Sequence, residues 1–175
     1  MVYFVHFIGF YKVMLILNLV VFLTHYTFAR YNVAIMRIQD SNIIDSVKDV
    51  HVTKEGIYYF FDKFIIGEIN KDVVYDWKSA QSAINAGMEF YGREKFLNIT
   101  YISNRVNEYS VKPIDWLKFF KSDYNMKAYA IVSYSDKGFM NGAIEELFMK
   151  IGNFKRFTKL EDAINWVENS KTEAA

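Results

Sequence analysis

The side chains able to do chemistry are few and scattered. Histidine occurs three times, and since His6 and His25 fall in an apolar N-terminal stretch, His51 stands alone in the rest of the chain. One imidazole assembles neither a Ser-His-Asp relay nor a histidine metal site. The absence of cysteine removes thiolate ligands, thiol nucleophiles and disulfides. Asp62, Glu68, Asp72 and Asp76 lie close together in sequence. Two of them brought face to face would make an acid/base pair, but they lack the alternating oxygen donors of an EF-hand loop. The expectation is a solvated loop in which Asp72 or Asp76 starts a helix. Gly138, Gly142 and Gly152 follow no G-x-G-x-x-G or G-K-[ST] pattern, so no phosphate loop is expected. No catalytic residue, metal or cofactor is predicted. The remaining candidates are the hydroxyls of Ser103 and Ser110 and the segment between them, NRVNEY, which carries Asn104, Arg105, Asn107 and Glu108.

The elements that must position these residues are legible from hydrophobic period. Residues 50–61 (VHVTKEGIYYFF) read as a hairpin around Lys54, Glu55 and Gly56, with Gly56 supplying a positive φ. Residues 64–69 (FIIGEI) either extend the second strand or form a third, with Gly67 at a bulge or close approach. Over residues 74–91, Val74, Trp77, Ala80, Ile84, Met88 and Tyr91 line one helical face, and Gly92 suits its C-terminal cap. Residues 95–103 read as a strand, and Pro113 opens a short helix carrying Ile114, Leu117 and Phe120. Residues 127–134 (KAYAIVSY) are apolar on both faces, as a covered central strand requires. Ser135 or Asp136 then caps a helix over 140–151 with a buried stripe of Met140, Ile144, Leu147 and Ile151. Residues 155–157 make an edge strand. Thr158 and Glu161 form a capping box for a last helix carrying Ala163, Ile164 and Val167. The expected fold is α/β, a mixed sheet opened by a hairpin and covered by about four helices.

That order, together with Phe157, Thr158, Glu161, Ala163 and Trp166 at the last helix, resembles the STAS domains, and most nearly the SpoIIAA-like STAS/SEC14 bacterial proteins. The resemblance covers residues 47–170. It implies a regulatory, non-enzymatic module that binds a partner protein, here through the helix from Pro113 to Lys121 and the loop before it. In phosphoswitch members of the family an Asp-Ser-Ser-Gly-like stretch after the central strand accepts a phosphate, which at a helix N-terminus alters an interface by about two charges. Here the matching residues are 104–112, without that motif, and Ser110 before Pro113 reads as a cap or loop residue. The SEC14 side of the resemblance implies a different role, carriage or sensing of a lipid-like apolar molecule. The aromatics Tyr58, Tyr59, Phe60, Phe61, Phe64, Trp116, Phe119 and Phe120 serve either as core and interface or as the lining of such a pocket, with Trp116, Phe119 and Phe120 as candidate contacts.

The chain of 175 residues is long enough for one domain that buries about 70% of its unfolded surface. With Lys+Arg at 21 against Asp+Glu at 20, it has no basic field to attract nucleic acid. Residues 1–29 carry one formal charge, Lys12, and residues 13–29 carry none. Three readings stay open for them: a membrane span or anchor, a signal peptide, or a start at Met36 that leaves them outside the protein. Residues 30–46 read as a connector and 171–175 as a tail. Arg30 and Arg37 against Lys12 favour a cytoplasmic position for the domain, tethered or free, which the lack of cysteine matches.

Overall fold

The computed structural model describes residues 34–122, 126–148 and 153–169. The apolar stretch 1–29, the tail 171–175, and Ile151 of the expected buried stripe lie outside them. The chain divides into two compact units, and the account below concerns the second, Ile35–Ala175.

Its centre is a six-stranded sheet in the order β1-β2-β3-β5-β7-β8, formed by Asp49–Val52, Gly56–Phe60, Phe64–Ile69, Thr100–Arg105, Ala128–Ser133 and Phe154–Phe157. The first three strands run antiparallel and the pairs β3/β5, β5/β7 and β7/β8 are parallel, so the sheet is mixed. Each parallel step needs a crossover, supplied in turn by helices α1 (Trp77–Tyr91) and α2 (Arg93–Leu97), α3 (Trp116–Lys121), and α4 (Asp136–Phe148). Because the strands advance in one direction, crossovers of one hand stack on one face. There Ile84, Phe96 and Phe119 pack on Tyr58, Phe60, Ile65 and Tyr129. The opposite face is left to α5 (Leu160–Asn169), whose Leu160, Ala163 and Val167 pack with Ile66, Ile102 and Val132. Two 3-10 turns, Ile38–Asp40 and Ile44–Ser46, complete that cover, and Ile38 is fully buried. Residues 36–46, expected as a connector, therefore contribute to the core.

The hairpin, the central strand and the edge strand lie where the period placed them, and 64–69 is a third strand. Gly56 does not adopt a positive φ. The turn is instead held by Thr53, whose Oγ1 accepts from the Glu55 and Gly56 amides at 3.2 and 3.1 Å. Gly56 is required by close approach, since a Cβ there would stand 2.4 Å from the Glu68 carbonyl oxygen. The helix expected from Val74 begins at Trp77, capped by Asp76, whose Oδ1 accepts the Ser79 amide at 3.1 Å. Val74 belongs to a two-residue strand, β4 (Val74–Tyr75), which pairs in parallel with β6 (Ser110–Val111). The strand expected over 95–103 starts only at Thr100, because Gly92, at φ 75°, ends α1 and opens α2 directly.

Two helix readings are corrected. In α4 the expected buried residues Met140 and Ile144 are 63% and 50% exposed, while Gly142 and Glu145 face inward. The side chain of Leu147 is outside the description. Gly142 lies against the sheet, where a Cβ would meet Ile131 at 3.6 Å and the Arg156 side chain at 3.3 Å. The last helix begins at Leu160, which puts Lys159 at the cap position and Thr158 one residue before it. The capping box expected from Thr158 is therefore out of register.

Candidate functional site

The parallel strands β5 and β7 end side by side, Arg105 opposite Ser133. Beyond such carboxyl ends, where the loops diverge, open α/β sheets hold their ligands. Here a cleft of about 300 Å³ opens between the loop after β5 and the start of α4. Arg105, Ser133, Ser135 and Gly138 line it, with Asp72, Glu108 and Lys137 also on its walls.

The floor is polar and buried. Ser133 is 4% exposed, and its Oγ has no hydrogen-bond partner. Arg105 reaches back to Glu145 of α4, Nη2 to Oε1 at 2.6 Å, with both side chains under one-tenth exposed. The pair uses one oxygen and one nitrogen, and Arg105 Nε and Glu145 Oε2 are left without partners. A half-made buried ion pair is costly unless something else completes it. The Arg105 guanidinium also stands 5.3 Å from the centre of the Tyr109 ring. On the α4 side, Ser135 Oγ accepts the Gly138 amide at 3.1 Å, so Ser135 is the cap that the sequence offered beside Asp136.

The loop itself is tied at several points. Asn107 donates to the Ile69 carbonyl at 2.8 Å and accepts from Arg37 Nη2 at 2.8 Å. Tyr109 and Ser103 share a hydroxyl hydrogen bond of 2.7 Å, and burial raises the Tyr109 phenol above its usual range. The Glu108 carbonyl accepts the Asp72 amide at 2.9 Å, with Asp72 at a positive φ of 62°. Lys137 reaches the Glu108 carboxylate at 3.3 Å across the mouth.

Below the cleft, on the α5 face, lies a second polar network. Glu68 is 5% exposed in β3, not part of the solvated loop expected for it. Its Oε1 accepts from the Ile38 amide at 2.9 Å and from Asn104 Nδ2 at 2.8 Å. Asn104 donates also to the Met36 carbonyl at 2.8 Å, and its Oδ1 accepts from the Tyr134 hydroxyl at 2.9 Å. Burial raises the Glu68 carboxyl, opposed by these two donors and by Arg37, and burial pushes the Tyr134 phenol up to about 12.

Of the six residues expected to form a docking or phosphorylatable loop, only Glu108 and Ser110 are exposed. Ser103 and Asn104 are interior, because β5 continues to Arg105 and is covered on both faces. Ser110 is not a helix cap; it sits in β6, its amide donating to the Val73 carbonyl at 2.9 Å. Phe119, offered as an apolar contact, is 4% exposed and packs edge-on against Tyr129 at 5.5 Å. The side chains of Trp116 and Phe120 are outside the description. His51 lies on β1, its Nε2 3.2 Å from Ser82 Oγ. Among the described residues no three His, Asp or Glu side chains are placed to hold a metal ion, and no helix is long and apolar enough to cross a membrane.

Sequence reasoning missed Glu68, Ser133, Tyr134 and Glu145. Ser133 carried a signal: it is a hydroxyl at the carboxyl end of the clearest central strand, where binding sites of open sheets form. Between the sheet and helices α1 and α3 there is also a small apolar cavity of about 60 Å³, lined by Ile84, Tyr101, Phe119 and Tyr129 among others. That is well below the roughly 150 Å³ that holds a benzene. No family model, no curated protein and no solved structure matches the chain.

Proposed function

We propose that the unit is a non-enzymatic regulatory module, of the kind the STAS resemblance implies, whose working surface is the end of the sheet formed by the loop after β5 and the start of α4. The supporting observation is that this loop is exposed at Glu108 and Ser110 yet tied to three other elements through Asn107, Tyr109 and the Glu108 backbone. A segment fixed before contact binds without the cost of ordering, which suits docking. Ser110 sits in a strand bridge two residues after Glu108, and lines the same cleft as the start of α4. A phosphate there would meet the like charges of Glu108 and Asp72, and the Gly138 amide at the start of α4 is already taken by Ser135 Oγ.

Affinity capture from native cells with the full chain tests the reading. The expected result is equal recovery of partners by wild type, Ser110→Ala and Ser110→Asp, and loss of them with Tyr109→Ala, which frees the loop. Opposite effects of the two Ser110 substitutions would restore a phosphoswitch, and partners indifferent to Tyr109→Ala would place the surface elsewhere. The alternative role, binding of a lipid-like molecule, draws on the apolar cavity under α1 and α3 and requires those helices to part. Native mass spectrometry of the purified chain, looking for a copurified lipid, tests it.

A further inference from the structure

The cleft at the ends of β5 and β7 has a division of chemistry between floor and rim. Its floor offers two donors, Ser133 Oγ and Arg105 Nε, that have no hydrogen-bond partner although both side chains are more than nine-tenths buried, with the equally unpartnered acceptor Glu145 Oε2 behind them. Ser133 Oγ lies beneath the first turn of α4, packed so closely that a Cβ on Gly138 would stand 3.3 Å from that oxygen. The thirteen-residue α4 turns its amide end toward the same place, and Ser135 and Gly138 line the cleft. The rim carries acids. Glu108 is 67% exposed and its carboxylate takes Lys137 at 3.3 Å, and Asp72, also exposed, is joined to Glu108 by its amide on the Glu108 carbonyl.

Charge narrows the ligand. The charged side chains lining the cleft are Arg105 and Lys137 against Asp72 and Glu108, and Glu145 behind the floor already holds Arg105. There is thus no net positive field, and a dianion such as phosphate would meet three carboxylates. A molecule with one negative and one positive group, set a few bonds apart, meets opposite charge or donors at both ends. The volume of about 300 Å³ stands at the small end of the range for ligand sites, roughly 300 to 1,000 Å³.

From this we infer that the cleft is a site for a small zwitterion of the α-amino-acid class, its carboxylate on Ser133 Oγ, Arg105 Nε and the α4 amide end, its ammonium toward Asp72 and Glu108. The inference rests on the reading of this end of the sheet as the working surface, and makes the ligand a second input to it. Binding would complete the donor set that Arg105 and Ser133 now leave unused.

Titration calorimetry on the full chain tests it, with each of the twenty common L-amino acids and with acetate, methylammonium and inorganic phosphate as probes. The expected result is saturable one-to-one binding of at least one amino acid, and weaker or no binding of the three fragments. Ser133→Ala should weaken that binding by about three- to tenfold, the worth of one hydrogen bond. Asp72→Asn, which keeps a residue tolerant of positive φ, should weaken it as well. No amino acid bound, any fragment bound as tightly, or both variants binding like wild type would each overturn the inference. Partner capture with the Tyr109 and Ser110 variants is scored separately, so loss of the ligand site leaves the docking surface to stand or fall on its own result.

Discussion

Asn104 Nδ2 donates to Glu68 Oε1 at 2.8 Å, joining the ends of β5 and β3 on the face covered by α5. The same amide nitrogen holds the Met36 carbonyl, and the amide oxygen takes the Tyr134 hydroxyl, so one side chain connects four segments of chain. Removing it leaves several buried polar groups without partners. Asn104→Ala should cost about 1–3 kcal/mol, read as a lowered urea midpoint with unchanged slope. Asn104→Asp sets a second carboxyl against Glu68 and should be more destabilising at neutral pH than in mild acid. A variant as stable as wild type would show that water replaces the amide.

Glu68 predicts a pH dependence of its own. Burial raises its folded-state pKa above the unfolded value, so the native state holds the proton more tightly. The stability this contributes is fully present below the ordinary carboxylate range and is lost as pH rises through the raised value. Glu68→Gln keeps an acceptor for the Ile38 and Asn104 donors and cannot ionise. Its urea midpoint should vary less than that of wild type between about pH 4 and pH 8, with the gain on the alkaline side. Parallel curves for the two proteins would contradict this. Asp76 contributes with the opposite sign. The Ser79 amide bonded to it lowers its pKa, so its stabilisation is present above the ordinary aspartate range and lost in acid.

At Gly67 the sheet leaves no room for a side chain. A Cβ would stand 2.2 Å from the Tyr101 hydroxyl on the neighbouring strand, so Gly67→Ala should destabilise by about 1–3 kcal/mol. Because the collision is with the far end of a side chain, Tyr101→Phe in the same chain should recover part of the loss. A double-mutant cycle with no coupling between the two sites would refute the contact.

The two helix starts should respond differently to loss of a hydroxyl. Ser135 caps α4, and Ser135→Ala should cost about 1 kcal/mol. Thr158 precedes the cap position of α5, and Thr158→Ala should leave the thermal midpoint within error. Equal losses would mean that α5 begins earlier than Leu160.

The contrast shows which features a sequence can carry. Strands β2, β3, β5 and β7 are runs of β-branched and aromatic residues long enough for their period to be counted, and the helices between β3, β5 and β7 dictate the parallel pairing of those three. Strands β4 and β6 have two residues each, too few for any period. Glu68 looked like one of several acids in a loop because its buried partners, Ile38 and Asn104, are 30 and 36 residues away. In α4 two stripes have helical spacing, Met140 with Ile144 and Gly138 with Gly142 and Glu145. Hydrophobicity selects the first. The structure uses the second, because Arg105 on β5 needs the Glu145 carboxylate and the stripe that carries it brings Gly142 against Ile131 and Arg156. The candidate cleft was half legible for the same reason: its loop was read from the chain, but its floor is made by strand ends that only the fold brings together.

The inward face of α4 has a further consequence for how the molecule opens. Among its described side chains α4 shows glycine and a glutamate to the sheet and turns Met140 and Ile144 to solvent, so the polar ties carry weight there: the Arg105 pair, the Arg156–Glu146 ion pair, and the contact of Arg156 with the Phe139 carbonyl and ring. Local unfolding free energy follows buried apolar contact, so α4 should come away well before the strands do. In native-state hydrogen exchange its amides should then belong to an early, partial opening, in a different cooperative unit from those of β5 and β7. One wall of the cleft would be released while the other stays folded.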